Sequence, residues 1–363
     1  MTDRAASADG EPAASGYRWP AEWEPHAATW LSWPHNRETW PLQLERVEQA
    51  FVAMVRALAG REEVCINVAD ARAEERLRGL LQQAGVLAEP AGGPAVRFFH
   101  IPTDDAWVRD HGPIFLVGER EGARGLAVAD FGFDAWGGKY PPWDRDDAVP
   151  RRVAAVLRLP RFEAGFVLEG GSVEGDGQGT ILTTESCLLN PNRGGPDGVM
   201  RTREQVERWL AAWLGAREVL WLGSGIAGDD TDGHVDDITR FVAPDIVVTA
   251  LEDDAGDVNH APLRENRRRL RGMRSARGKR LEVVTLPMPP PLVADGDRLP
   301  ASYANFYLAN QVALVPIFDA PSDARALATL RECLPGREVV GIPARDLVVG
   351  LGGVHCLTQQ QPC

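Results

Sequence analysis

A chain of 363 residues, 44 % of them hydrophobic, can bury a sizeable core as two domains or as one closed repeat architecture. Its formal net charge of −13 argues against nucleic acid or an anionic membrane as partner and suits a small cationic ligand. The five cysteines, at 65, 187, 333, 356 and 363, form no CxxC pair, and no apolar run is long enough to span a bilayer, so free thiols in a reducing, cytoplasmic setting are expected.

Residues 1–17 lack the apolar core of a signal peptide and are expected to be disordered. Residues 27–33 (AATWLSW) read as a strand. From Thr39 to Ala59 apolar residues recur at three- and four-residue steps, which predicts a helix with Thr39 as its N-cap and Gly60 as its stop. A strand at 63–68, a helix at 72–83 and a strand at 96–101 follow. Residues 107–117 (WVRDHGPIFLV) then read as a polar-studded strand, a turn and an apolar strand.

That hairpin pattern recurs. A helix at 144–158 and a strand at 162–167 lead to a second hairpin at 168–184. A helix at 201–214 and a strand at 217–222 lead to a third at 234–250, turning at Ala243-Pro244-Asp245. A helix at 261–272 and a strand at 281–286 lead to a fourth at 302–317, around Ala309-Asn310-Gln311. A helix at 322–332, a strand at 337–342 and a strand bearing Cys356 close the series. The hairpins start about sixty residues apart, the signature of a repeat architecture. Five such units predict radial closure, with the 27–33 strand pairing the Cys356 strand and leaving few open edges.

In such a ring the inner strands would bring Asp110, Glu169, His234, Asp236 and Cys356 to one axis. Cys356 follows Gly350, Gly352 and Gly353, which let a backbone approach its neighbours closely, as a nucleophile mount requires. His234 and Asp236, two apart, would point the same way on a strand. The chemistry that fits is attack of a thiolate on an electron-poor carbon. A free thiol titrates near 8.5, so Cys356 needs a cationic neighbour, either His234 or a bound cationic substrate. His234 can shuttle protons, and Glu169 can orient its imidazole. Asp110 and Asp236 are surplus to acyl transfer but match a guanidinium, a planar cation that pairs with carboxylates through parallel hydrogen bonds. Trp107 and Trp136 can offer that cation an aromatic face. A competing reading uses His234, Asp236, Asp110 and His111 as metal ligands in a hydrolase, although the chain has few other clustered histidines.

The motifs WPHNRETW, DDAWVRDHGP, FGFDAWGGKYPPWDRDD, LEGGSVEGDGQGT with LLNPNR, TDGHVDD and GGVHCLTQQQP resemble the agmatine deiminase family of the guanidine-modifying (pentein) superfamily, from about Trp19 to the end. The resemblance implies an α/β fold, a five-bladed pseudo-fivefold α/β propeller forming one catalytic domain over 18–363. It implies hydrolysis of agmatine to N-carbamoylputrescine and ammonia, a step of putrescine formation, in a homo-oligomer without metal or cofactor. By motif position Cys356 is the nucleophile, His234 the general acid and base, Glu169 its support, and Asp110 and Asp236 the guanidinium grip. The chain departs from the family pattern at Asp237-Ile238-Thr239-Arg240 and in the short segment Lys139-Tyr140-Pro141-Pro142. A variant acting on free or peptidyl arginine would need a cation for a carboxylate or peptide, with Arg37, Arg109, Arg193 and Arg240 as candidates.

Overall fold

The computed structural model describes residue 8 and residues 10–87, 95–120, 123–194 and 200–363. Strand β1 (His26–Ser32) is buried at all but one position, as a strand covered on both faces should be. Helix α1 (Leu44–Leu58) turns Val47, Phe51, Met54, Val55 and Leu58 inward and carries the chain to β2 (Glu63–Val68), parallel to β1. Helix α2 (Ala71–Gln83), capped by the Asp70 carboxylate, leads to β3 (Val96–His100), parallel to β2.

A single helical turn, α3 (Val108–His111), precedes the antiparallel pair β4 (Ile114–Arg120) and β5 (Ala123–Gly132). Three short helices, α4 (Ala135–Gly138), α5 (Asp144–Asp147) and α6 (Val149–Leu157), cross over to β6 (Arg161–Val167), parallel to β5. Strands β7 (Glu174–Gly175) and β8 (Thr180–Thr184) form the next antiparallel pair, and α7 (Glu185–Leu188) and α8 (Arg203–Leu214) lead to β9 (Glu218–Leu222) beside β8. The pattern repeats with β10 (Thr239–Ala243), β11 (Ile246–Leu251), α9 (His260–Gly272) and β12 (Glu282–Pro287). A small hairpin of β13 (Val293–Ala294) and β14 (Asp297–Arg298) intervenes. Then come β15 (Tyr307–Ala309), β16 (Val312–Ile317), α10 (Asp323–Cys333) and β17 (Glu338–Pro343). The last strand, β18 (Gln359–Pro362), pairs antiparallel with β1. Four three-stranded sheets each join one antiparallel pair to one parallel pair, and the four-stranded sheet β18-β1-β2-β3 joins one antiparallel pair to two parallel pairs, in a mixed α/β domain.

Several expectations need correction. The residues singled out for chemistry do not lie on strands. Asp110 is in α3, Glu169 precedes the 3-10 turn Gly170–Ser172, His234 precedes the 3-10 turn Val235–Asp237 that holds Asp236, and Cys356 sits in the turn before β18. Glycines stand at these turns because the chain is crowded there: a Cβ on Gly112, Gly170, Gly171, Gly233 or Gly353 would lie less than 3.0 Å from another atom. His234 and Asp236 nonetheless reach one place, since a Cβ on Gly171 would lie 2.6 Å from His234 Nδ1 and 3.1 Å from Asp236 Oδ2. The first hairpin is β4 with β5, not two strands within 107–117.

Helix α1 starts at Leu44, because the Thr39 hydroxyl bonds to Asp105 instead of capping it. The helix expected over 144–158 divides at Ala148, since Pro150 has no amide to continue a helical ladder from 144–147. Residues 13–15 form a 3-10 turn and Tyr17 packs edge-on against Phe162, so the expected disorder does not reach residue 17; residues 1–7 and 9 lie outside the described residues. Among the described residues no helix is long and apolar enough to cross a membrane.

Candidate active site

The glycines before Cys356 are demanded by close approach. A Cβ on Gly352 would lie 2.3 Å from the Trp107 ring, and one on Gly353 would lie 2.4 Å from Asn305 Oδ1. Asn305, buried just before β15, organises the turn that carries Cys356. Its Oδ1 accepts from the amide of His355 at 2.8 Å and of Cys356 at 3.4 Å. Its Nδ2 donates to Cys356 Sγ at 3.1 Å and to Asp237 Oδ1 at 3.0 Å. Sequence reasoning missed this residue. A polar side chain within the apolar run Tyr303–Leu308, at the point where the other repeats carry their polar residue, was the available signal.

Opposite Cys356 the chain closes in tightly on itself. A Cβ on Gly171 would lie 2.6 Å from His234 Nδ1, 2.8 Å from Asp110 Oδ1 and 3.1 Å from Asp236 Oδ2, so three separate segments meet there. Asp110 accepts from the Gly171 amide at 2.8 Å through Oδ1 and from Trp136 Nε1 at 3.0 Å through Oδ2. The Trp136 edge therefore steadies a carboxylate, where an aromatic face toward a cation was expected. Asp236 Oδ2 lies 2.7 Å from His355 Nδ1 and accepts from the Cys356 thiol at 3.7 Å, while its Oδ1 has no hydrogen-bond partner among the described residues. Glu169 Oε1 accepts from Arg193 Nε at 2.6 Å, its Oε2 has no hydrogen-bond partner among the described residues, and His234 Nδ1 lies 3.7 Å from Asp110 Oδ1.

The charges follow from this packing. Burial pushes the Cys356 thiol well above its ordinary range, and Asp236, Asp237 and Asp110 push it further. Burial alone would lower the His234 imidazole, but Asp110, Cys187 and Glu169 outweigh it and hold the ring well above its usual value. Burial also works against ionisation of Asp236 and Glu169, yet His355 and His234 keep the first below the usual carboxylate range, and Arg193 and His234 the second. Asp110 is raised, by burial and then by Asp236 and Glu169, partly offset by His234. Burial and the nearby carboxylates thus favour the neutral thiol, while His355 and His234 favour ionised Asp236.

A cavity of about 840 Å³ opens onto this floor, within the usual size range for small-molecule sites. Cys356, Asp110, Trp107 and Trp136 line it; His234, Asp236 and Glu169 lie beneath. Its wall carries the carboxyls of Glu38, Asp104, Asp105, Asp146 and Asp230, of which burial raises Asp105 and pushes Asp146 up to about 8, and its two permanent cations are already paired. Arg37 bonds Glu45 at 3.0 Å on the rim, and Lys139 bonds Asp232 at 3.1 Å. Arg109, Arg193 and Arg240 are buried in ion pairs with Glu22, Glu169 and Glu174.

The metal set His234, Asp236, Asp110 and His111 is not assembled. Burial pushes His111 down to about 3, and its ring lies edge-on to Phe133. The cluster that does converge is Glu169, Cys187 and His234, with ligand atoms within 4.8 Å of one another, but the Arg193 guanidinium already holds Glu169.

Residues 18–362 match the Porphyromonas-type peptidyl-arginine deiminase family. The chain belongs to this family. An agmatine deiminase of Pseudomonas aeruginosa is 38 % identical over 374 residues, covering 97 % of each chain, and one from Pseudomonas putida is 39 % identical over the same length, again covering 97 % of each. The solved agmatine deiminase of Enterococcus faecalis superposes with a TM-score of 0.89 at 31 % identity, covering 98 % of this chain and 99 % of that one. As a member of this deiminase family the chain is an enzyme acting on C–N bonds of guanidine groups.

Proposed function

We propose that the enzyme hydrolyses agmatine to N-carbamoylputrescine and ammonia through a covalent adduct on Cys356. The observation that carries this reading is the buried thiol held between Asn305 and ionised Asp236, at the floor of a cavity whose wall is acidic. A guanidinium between Asp110 and Asp236 supplies the positive charge that a thiol among carboxylates lacks, so binding lowers the thiol pKa only when substrate is present. Cys356 attacks the guanidinium carbon. His234 protonates the departing nitrogen, and the thiol proton is carried away on ammonia. The remaining S-alkylthiouronium keeps its positive charge between the two aspartates. Water adds with His234 as base, the C–S bond breaks, and the urea and the thiol are released with one proton. Glu169, fixed by Arg193, holds negative charge beside His234.

The carboxylates of the wall suit the ammonium at agmatine's far end, and among the described residues the two permanent cations of the lining, Arg37 and Lys139, both stand in ion pairs. The five sheets of like pattern, together with the β1–β18 pairing, support closure into a five-bladed ring in one domain over 18–363.

The test is ureido-product detection across agmatine, arginine, a peptidyl-arginine and smaller guanidines, with and without chelator. Agmatine should be turned over best, with activity unchanged by EDTA. Acid quench should leave substrate mass minus ammonia on Cys356. Preference for a peptidyl-arginine would reassign the substrate, and metal-restored activity would overturn the thiol mechanism.

A further inference from the structure

The residue before the nucleophile has no part in the chemistry above, yet it is among the most constrained side chains in the molecule. His355 is 1 % exposed, and each ring nitrogen faces a carboxylate: Nδ1 lies 2.7 Å from Asp236 Oδ2 and Nε2 lies 2.8 Å from Glu22 Oε2. Glu22 is itself immobilised. Its Oε1 accepts from Arg240 Nη2 and the Leu308 amide, each at 2.8 Å, and its Oε2 accepts from Arg109 Nη2 at 3.2 Å. The His355 amide is held in turn by Asn305 Oδ1. The ring is thus held on its far side by an immobilised Glu22, and its backbone by Asn305.

We propose that His355 is a positioning residue for the guanidinium site, a clamp that engages Asp236 through Oδ2 and leaves Oδ1 as the open acceptor, with Glu22 as its anchor. A carboxylate beside Asp237 and a thiol would otherwise rotate toward whichever donor was nearest, and a charge-assisted bond at 2.7 Å fixes which oxygen is engaged. The short bond also orders the acceptor before substrate arrives, so less orientation has to be lost on binding. The clamp rests on the guanidine reading, since its purpose is to present one negative charge to a planar cation.

The test separates charge positioning from general damage by using two ligands that differ only at the reacting end. In a Cys356→Ser background, affinity is measured for agmatine, whose end is cationic, and for N-carbamoylputrescine, whose end is a neutral urea. His355→Gln places its amide nitrogen near the Nε2 position and gives up Asp236; His355→Asn places its amide nitrogen near Nδ1 and keeps it. The expected result is a loss of about tenfold or more for agmatine in His355→Gln, less than about threefold in His355→Asn, and less than about threefold for the urea in both. If His355→Gln does not fold, His355→Ala, which also gives up Asp236 and leaves Glu22 in its arginine pairs, carries the same contrast, with agmatine weakened and the urea unaffected. Equal losses for both ligands, or agmatine binding unchanged, would overturn the clamp alone. A Cys356→Ser parent that binds no guanidine would overturn the guanidine reading, and the clamp with it.

Discussion

At the scale of single residues, Asp236 has two opposed effects on one reaction. In the proposed reaction its negative charge grips the substrate cation, yet after burial it is also the largest influence raising the Cys356 thiol. The two effects predict opposite outcomes in one variant. Asp236→Asn should lower kcat/KM for a guanidine by about ten- to a hundredfold, the worth of a charge-assisted hydrogen bond. Alkylation of Cys356 by iodoacetamide, a neutral reagent, should become faster. The sign follows from the thiol: removing a neighbouring negative charge lowers its raised pKa, so more thiolate is present at a fixed pH. The alkylation profile therefore moves to lower pH in the variant. Asp110→Asn should accelerate alkylation less, because Asp110 is itself pushed toward the protonated form. Peptide mapping of alkylated Cys356 against pH checks both statements, and slower labelling in Asp236→Asn would contradict this account of the thiol.

At the scale of elements, the site is made where glycine-bearing turns abut, with the strands behind them as scaffold. Gly171 is the tightest such place, since His234, Asp110 and Asp236 all come within reach of the Cβ it lacks. Gly171→Ala should therefore lower kcat/KM by at least about a hundredfold, the cost of moving catalytic groups by roughly an ångström. The fold should survive, because the displaced atoms are side chains around a cavity floor, and thermal unfolding separates the two effects. Near-normal turnover in this variant would mean that the three side chains have more freedom than their packing indicates. The departure from the family pattern at Asp237 belongs to this scale too. Its carboxyl, raised well above the usual range by burial and by Asp236 and Asp229, accepts from the same Asn305 amide that donates to Cys356.

At the scale of the whole molecule, a buried ion network ties distant units together. Arg240 Nη2 reaches Glu22 and Arg240 Nε reaches Glu174, each at 2.8 Å, while Arg109 adds a second cation on Glu22. These partners come from the segment before β1, from α3, from β7 and from β10, so the network joins parts of the chain that hydrogen-bonded sheets keep separate. Two carboxylates buried here depend on the guanidinium. Arg240→Met should therefore destabilise by about 3–5 kcal/mol, the usual penalty for stranding a buried charge. Equilibrium denaturation measures it, and a loss below about 1 kcal/mol would show that the carboxylates find protons or water at little expense.

Much of this protein is legible in its sequence because local physics wrote it there. The amphipathic period of α1, the turn residues between β10 and β11 and between β15 and β16, and the sixty-residue recurrence each follow from neighbours along the chain. The same holds for the pairing of the first and last strands, which a repeat of that kind suggests. The motifs around Asp110, Glu169, His234, Asp236 and Cys356 also name the chemistry, since few other reactions call for one thiol, one imidazole and surplus carboxylates. Tertiary structure alone decided how those groups are partnered. That Arg193 serves Glu169, that Trp136 steadies Asp110, that Asn305 holds the nucleophile's turn and that Glu22 anchors His355 all depend on contacts between residues 24 to 333 positions apart. Such contacts leave no periodicity to read. The state of Cys356 was hidden for the same reason. A thiol's ionisation depends on the sum of burial and every nearby charge, and only the folded chain brings Asp110, Asp236 and Asp237 together around it.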